Sequence, residues 1–138
     1  MEQYIRGLYS FNGRFTRSQF LGYNILNIAI SVILGLPLLF VSSSDNPGVE
    51  ILAAIAMLIV FALGFWSNYA IISKRLHDLG YSALNSIWIL LLDLGSVLLE
   101  KPAPVLSILF DLVLFGIISY LLFKPGEIYH NHFGDSTI

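Results

Sequence analysis

Two aspartates, Asp93 and Asp111, lie inside otherwise apolar runs of the sequence. A carboxylate at the centre of a membrane helix costs on the order of 2.5–3.5 kcal/mol on insertion scales, so each aspartate needs a partner or a role. Both residues are equally far from a short polar connection at residues 100–103. At about 1.5 Å per residue, they lie at similar depth, about 13 Å from the tip of a helical hairpin.

The similar depth of these aspartates predicts one of two arrangements. If the two helices turn Asp93 and Asp111 toward each other, like charges raise one pKa and the pair shares a proton. The pair is then a candidate intramembrane ion or proton site. In the structural alternative, protonated Asp93 and Asp111 bind Ser96, Ser107 or each other and hold the helices together.

A second polar cluster combines arginines with a His-Asp pair. Asp78 lies near the predicted C-terminus of a helix, where the helix dipole disfavours a carboxylate unless a cation compensates it. The candidate cations are Arg14, Arg17 and Arg75, and lipid phosphates are the alternative ligands of the first two. We name as the collar the five residues Arg14, Arg17, Arg75, His77 and Asp78.

Local motifs predict where the helices around the collar begin and end. Thr16 and Gln19 have the spacing of a capping box, which starts a helix after Phe15. Gly80 is predicted as the C′ residue of the helix that holds Asp78, and Ser82 as the cap of the next helix.

The composition excludes most soluble proteins. Hydrophobic residues make up 57% of the 138 residues, charged residues only 12%, and the mean hydropathy is +0.79. Soluble domains carry about 25% charged residues, so this chain has too little polar surface to cover a globule. A formal net charge of -2 argues against nucleic acid as a partner, and the absence of cysteine excludes disulfides and thiolate sites.

Four apolar runs predict an all-α integral membrane protein. They cover residues 20–41, 51–72, 84–99 and 104–123, and about 20 residues are needed to cross a bilayer. Basic residues concentrate before the first run, between the second and third, and after the fourth, which places both termini in the cytoplasm. We predict one domain, residues 1–138, built as a four-transmembrane-helix bundle with a short cytoplasmic N-terminal interfacial segment.

A further polar layer is predicted between the aspartates and the collar. Asn24, Asn27 and Ser31 share one helical face, and Asn68 reaches a similar level from the second run. Hydrogen bonds between helices are the main interpretation, and a cavity open to the cytoplasm is the alternative.

Three segments carry recognisable motifs. Residues 11–20 (FNGRFTRSQF) resemble the F-x-G-R-x-S/T-R-x-E-F opening of the bacterial domain-of-unknown-function 805 family, and residues 75–82 (RLHDLGYS) resemble its R-L-H-D-x-G-x-S signature. The tail is similar to the family's ending through Gly126, Asn131, Phe133 and Gly134. The resemblance implies a small multi-pass protein of the bacterial inner (plasma) membrane and brings no established chemistry.

Enzymatic signals are absent from the sequence, which contains no nucleophile motif, Gly-rich phosphate loop or HExxH. Adjacent positions on a helix point about 100° apart, so His77 and Asp78 cannot orient one another. His130, His132 and Asp135 offer up to three metal ligands, but on a short tail for which a solvated chain is expected. We therefore predict a protein that is not an enzyme and has no metal or cofactor.

Two functional hypotheses follow. The first is a non-enzymatic scaffold whose rigid cytoplasmic collar binds membrane lipids or an unidentified membrane protein partner. The alternative is a proton- or cation-coupled small-solute transporter or channel subunit that uses Asp93 and Asp111. This alternative requires a homo-oligomer, because four helices alone enclose little room for a permeation path.

Overall fold

The chain folds into five helices, seen in a computed structural model that describes residues 2–44 and 46–134. They are α1 (Glu2–Tyr9), α2 (Arg17–Val41), α3 (Pro47–Asp78), α4 (Asn85–Leu99) and α5 (Pro104–Phe123). Over the described residues there is no strand beyond one isolated bridge between Asn131 and Gly134. The all-α prediction is confirmed, and α1 is a helix that the sequence motifs did not mark.

The start of α2 follows the predicted capping box. The Thr16 hydroxyl accepts the Gln19 backbone N–H at 3.2 Å, and the Gln19 side chain accepts the Thr16 backbone N–H at 3.0 Å. Phe15 before the cap and Phe20 in the first turn are both buried in the same apolar cluster. The cap therefore fixes the angle at which the chain turns into α2.

The end of α3 is a Schellman motif, as the glycine predicted. The Gly80 N–H bonds to the His77 carbonyl at 3.1 Å, and the Tyr81 N–H bonds to the Leu76 carbonyl at 2.9 Å. Gly80 has φ +79°, a conformation that a side chain would strain. This tight stop holds the last turn of α3, with Asp78, against the segments around it.

The predicted cap of the next helix is wrong. The N-cap of α4 is Leu84, which makes no side-chain cap bond, and the helix begins at Asn85. The Ser82 hydroxyl instead accepts the Leu84 N–H at 3.3 Å, because a turn at residues 83–84 intervenes before the helix.

Helices α4 and α5 form the predicted tight antiparallel hairpin, joined by residues 100–103. Pairing of Gly95 with Phe110 and of Ser96 with Ser107 sets its register. This register keeps Asp93 and Asp111 at similar depth.

The apolar core lies at one end of the bundle, near the collar. Its buried members come from α1, α2, α3, α4, α5 and the connections between them: Leu8, Phe15, Phe20, Ile71, Ile72, Leu76, Leu79, Ile89 and Leu121. Elsewhere most large apolar side chains face outward. Among the described residues, α2, α3 and α5 are long and apolar enough to span a membrane, and α4 has 15 residues, about 22 Å.

Candidate functional site

Asp78 is held between two arginines at the collar. Its Oδ1 lies 3.2 Å from Arg14 Nη2, and its Oδ2 pairs with Arg75 Nη1. All three side chains are almost fully buried. Two cations therefore compensate the Asp78 carboxylate, which offsets its unfavourable position at the end of α3.

Arg75 also binds the C-terminus of α5. Its Nε donates to the Leu121 carbonyl at 2.6 Å and its Nη2 to the Lys124 carbonyl, while Nη1 donates to the Phe15 carbonyl at 3.1 Å. The last carbonyls of a helix have no partner within the helix, so a buried guanidinium satisfies them and places positive charge where the dipole favours it. Arg75 therefore joins α3 to α5 and to the segment before α2.

Arg14 binds the tail that follows α5. Its guanidinium donates to the backbone carbonyls of Glu127, Tyr129 and Gly134, besides its contact with Asp78. The tail is also joined to α3 directly, since the Glu127 N–H bonds to the Asp78 carbonyl at 2.8 Å. The excess positive charge of the two arginines over one carboxylate is thereby spread over backbone dipoles.

The four tail residues that resemble the family motif all lie against residues of the collar. A Cβ on Gly126 would overlap the Asp78 carboxylate, so only glycine fits there. The Asn131 amide donates to the His77 carbonyl at 2.9 Å, and the Phe133 ring stacks on the His77 ring at 4.0 Å. Contacts with Asp78 and His77 therefore explain why the tail carries these residue types.

His77 faces away from Asp78. Its Nδ1 lies 3.2 Å from the Gly13 carbonyl, and its ring is covered by Phe133. Burial lowers the pKa of His77 below its usual value, opposed by the hydrogen bond to Gly13. The neutral ring is thus favoured at pH 7, and its contacts are with the Gly13 carbonyl and the Phe133 ring.

Arg17 does not join the ion pair. It is exposed, and its Nη1 lies 3.4 Å from the Phe123 carbonyl at the end of α5. Of the three candidate cations, Arg14 and Arg75 pair with Asp78 and Arg17 forms no ion pair with it among the described residues, so the alternative for Arg17, contact with lipid phosphates, stays a prediction. Of the collar, Arg17 is the charged residue available to headgroups or partners.

Lys74 belongs to this region but was missed by the sequence analysis. Its Nζ donates to the Arg6 carbonyl at 2.9 Å and to the Gly7 carbonyl, which lie in the last turns of α1, and lies over the Phe15 ring. Burial lowers the pKa of Lys74, which lies beyond the predicted span 51–72, to about 8. A lysine within a helix gives no sequence signal that it caps another helix.

The two aspartates that were predicted to lie within the membrane have different surroundings. Asp111 accepts the Ser96 hydroxyl at 2.5 Å, and Ser96 lies 3.2 Å from the Ser107 hydroxyl. Asp93 makes no hydrogen bond or ion pair with any residue that the structure describes. Asp111 thus fits the structural interpretation, and only Asp93 faces cavities of the bundle.

The polar layer lines one of these cavities. Asn27 donates to the Gly64 carbonyl at 3.2 Å and so joins α2 to α3, as the hydrogen-bonding interpretation expected. No group of three His, Asp or Glu side chains that could hold a metal occurs in residues 2–44 and 46–134, and Asp135, one of the three possible ligands in the tail, lies outside them.

In the part of the chain that the structure describes, the bundle is all-helical and three of its helices are long and apolar enough to span a membrane, which indicates a membrane protein. The chain belongs to the family described as "Protein of unknown function (DUF805)", which it matches over residues 8–135. The predicted resemblance is therefore confirmed over nearly the whole chain. Neither a curated protein nor a solved structure shows significant similarity to it.

Proposed function

We propose that the protein is a non-enzymatic multi-pass protein of the bacterial inner membrane whose collar end is a rigid platform for lipid headgroups or a membrane protein partner. In this proposal α4 is the fourth span and both termini are cytoplasmic. The positive-inside pattern and the short hairpin loop support that topology. At about 22 Å, α4 crosses by local thinning or snorkelling of flanking residues.

The observation that carries the platform is the buried network of Arg14, Asp78 and Arg75. Their charges are used inside the protein, on each other and on backbone carbonyls from α3, α5 and the tail. These three residues hold the surface in shape and do not themselves meet a partner. The exposed residues beside them, including Asn12, Arg17 and His132, form the contact surface.

The topology is tested by single cysteines, since the natural chain has none to remove. Ser43→Cys and Lys101→Cys in the two hairpin loops should react with a membrane-impermeant maleimide in intact cells. Asn12→Cys and His132→Cys should react only after the cells are opened. An unreactive Lys101→Cys beside a reactive Ser43→Cys would overturn the four-span arrangement.

The platform is tested by a photoreactive amino acid placed at Asn12, Arg17 or His132. Discrete protein cross-links at these positions support a protein partner, and cross-links to phospholipid alone support a lipid platform. Phe115, which is exposed on α5, is the matched control outside the collar end. The same protein cross-links at Phe115 as at the collar positions, or no cross-link to protein or phospholipid at the collar positions, would contradict the proposal.

Transport is a second candidate because Asp93, which pairs with no residue that the structure describes, lies beside two cavities. In this candidate Asp93, rather than Asp111, couples proton or cation movement within a homo-oligomer. Reconstituted vesicles should show a proton-dependent flux that Asp93→Asn abolishes and Asp111→Asn retains. Absence of flux across a panel of cations and small solutes would remove this candidate.

A further inference from the structure

A cavity of about 530 Å³ opens between α2, α3 and α4 at the level of Asp93. Its polar lining consists of Asn24, Asn27, Ser31, Asn68 and Asp93. Ile28 and Phe61, at its rim, are largely exposed on the membrane-facing surface. The cavity is thus reached sideways from the apolar surroundings of the bundle.

The Asp93 carboxylate is the only ionisable group among the described residues that line this cavity. The Asn24 amide nitrogen already donates to the Phe20 carbonyl at 2.7 Å, and that of Asn27 to the Gly64 carbonyl. The amide oxygens of Asn24 and Asn27 and the Asp93 carboxylate remain as acceptors, each of these two amide nitrogens keeps one further N–H, and no Lys, Arg or His is among the described lining residues. A ligand that carries positive charge and donates hydrogen bonds therefore suits the Asp93 carboxylate best.

Aromatic rings add a second preference. Phe61 and Phe65 lie with ring centroids 6.1 Å apart, and both line the cavity. Phe65 and Asp93 also line an adjoining cavity of about 170 Å³. Aromatic faces attract organic cations, most strongly where water is excluded.

We propose that this cavity binds a lipophilic organic ammonium ion. Its ammonium group donates to the Asp93 carboxylate and to the Asn68 side chain, and its apolar body packs against Phe61, Phe65 and the neighbouring aliphatic residues. Neutralising Asp93 removes the cost of a lone carboxylate at this depth. The site goes beyond the collar platform and does not depend on it, because it lies in a different part of the bundle.

The test measures binding of radiolabelled amantadine, a compact apolar primary amine, to the purified protein in lipid nanodiscs. Asp93→Asn should weaken binding about tenfold or more, as expected for loss of a charge-assisted hydrogen bond. Asp111→Asn, the matched carboxylate already bound by Ser96, should leave the affinity within about twofold. The neutral analogue 1-adamantanol should not displace the amine.

Equal loss of affinity in Asp93→Asn and Asp111→Asn, or displacement by 1-adamantanol at the same concentration as by amantadine, would overturn the site. Size-exclusion chromatography verifies that each variant is folded. If Asp93→Asn does not fold, Asn68→Leu provides the same test: it should weaken amine binding, and unchanged affinity would contradict the proposal. The collar cross-links are unaffected by these variants, so failure of this site and failure of the platform are distinguishable.

Discussion

The collar end and the hairpin end of the molecule are built in opposite ways. At the collar end, every residue of α3 from Ala70 to Asp78 is buried, and charged side chains form ion pairs or hydrogen bonds with groups on other segments. Near the hairpin loop, large side chains such as Val97, Leu98 and Val105 are mostly exposed, and Ser107 is a rare buried residue.

The difference indicates where the protein supplies its own packing. In the proposed topology, apolar side chains at the hairpin end contact lipid tails. Because lipid tails are as apolar as these side chains, burial within the chain adds little stability. Polar groups at the collar end must find partners inside the protein, because unpaired buried charges are costly. Substitutions should therefore act strongly at the collar end and weakly at the hairpin end.

The largest effect is expected for Asp78→Ala, which leaves Arg14 and Arg75 buried without their carboxylate. We expect a loss of about 3–5 kcal/mol in the free energy of unfolding. Thermal unfolding in detergent, followed by circular dichroism, measures it. Glu100→Ala in the exposed hairpin loop is the control and should change stability by less than about 0.5 kcal/mol. Similar melting curves for the two variants would remove the contrast between the ends.

Two glycine substitutions sharpen the comparison. Gly126→Ala places a methyl group on the Asp78 carboxylate and should cost about 1–3 kcal/mol. Gly116→Ala in α5 meets nothing within 4 Å and should stabilise the helix by about 0.5–1 kcal/mol. Melting temperatures that shift in the same direction for both variants would contradict the packing assigned to Gly126.

The capping box gives a smaller effect at the collar end. Thr16→Ala removes the acceptor for the Gln19 N–H and should cost about 1 kcal/mol. Thr16→Ser keeps the hydroxyl and should retain most of the stability. Chemical or thermal unfolding of both variants makes the measurement, and equal loss in the two would show that the hydroxyl is not the cause.

The smallest effect is expected within the hairpin. Ser96→Ala removes the donor to Asp111 and should cost about 0.6 kcal/mol, the average for such bonds in membrane proteins. A double-mutant cycle with Asp111→Asn isolates this term. A coupling energy above about 2 kcal/mol would show that polar interactions at the hairpin end stabilise the protein as strongly as those at the collar end.

Local features of the fold were predictable from the sequence because they depend on residues a few positions apart. The capping box of Thr16 and the C′ role of Gly80 are both of this kind. The failure at Ser82 is also local, since a turn can precede a helix and shift its first residue. The predicted span at residues 104–123 has the same bounds as α5, because the same apolar run and its prolines set the limits of the span and of the helix.

The partners of the collar were only partly predictable. Three arginines were candidates for Asp78, and Arg14 is 64 positions away from it. Choosing among them requires the rotation of each helix about its axis, which periodicity in an almost uniformly apolar run does not define. The same limitation applies to Lys74 and to the separate surroundings of Asp93 and Asp111.

The sequence by itself determined a helical membrane protein, the helix ends at Thr16 and Gly80, and the polar residues that need partners, because composition and short-range hydrogen bonds carry that information. Only the tertiary structure decided which polar groups meet: Asp78 with two arginines, Asp111 with Ser96, and Asp93 with none of the described residues. The physical reason is that such pairs join separate helices, and their contacts depend on how those helices pack rather than on any local pattern.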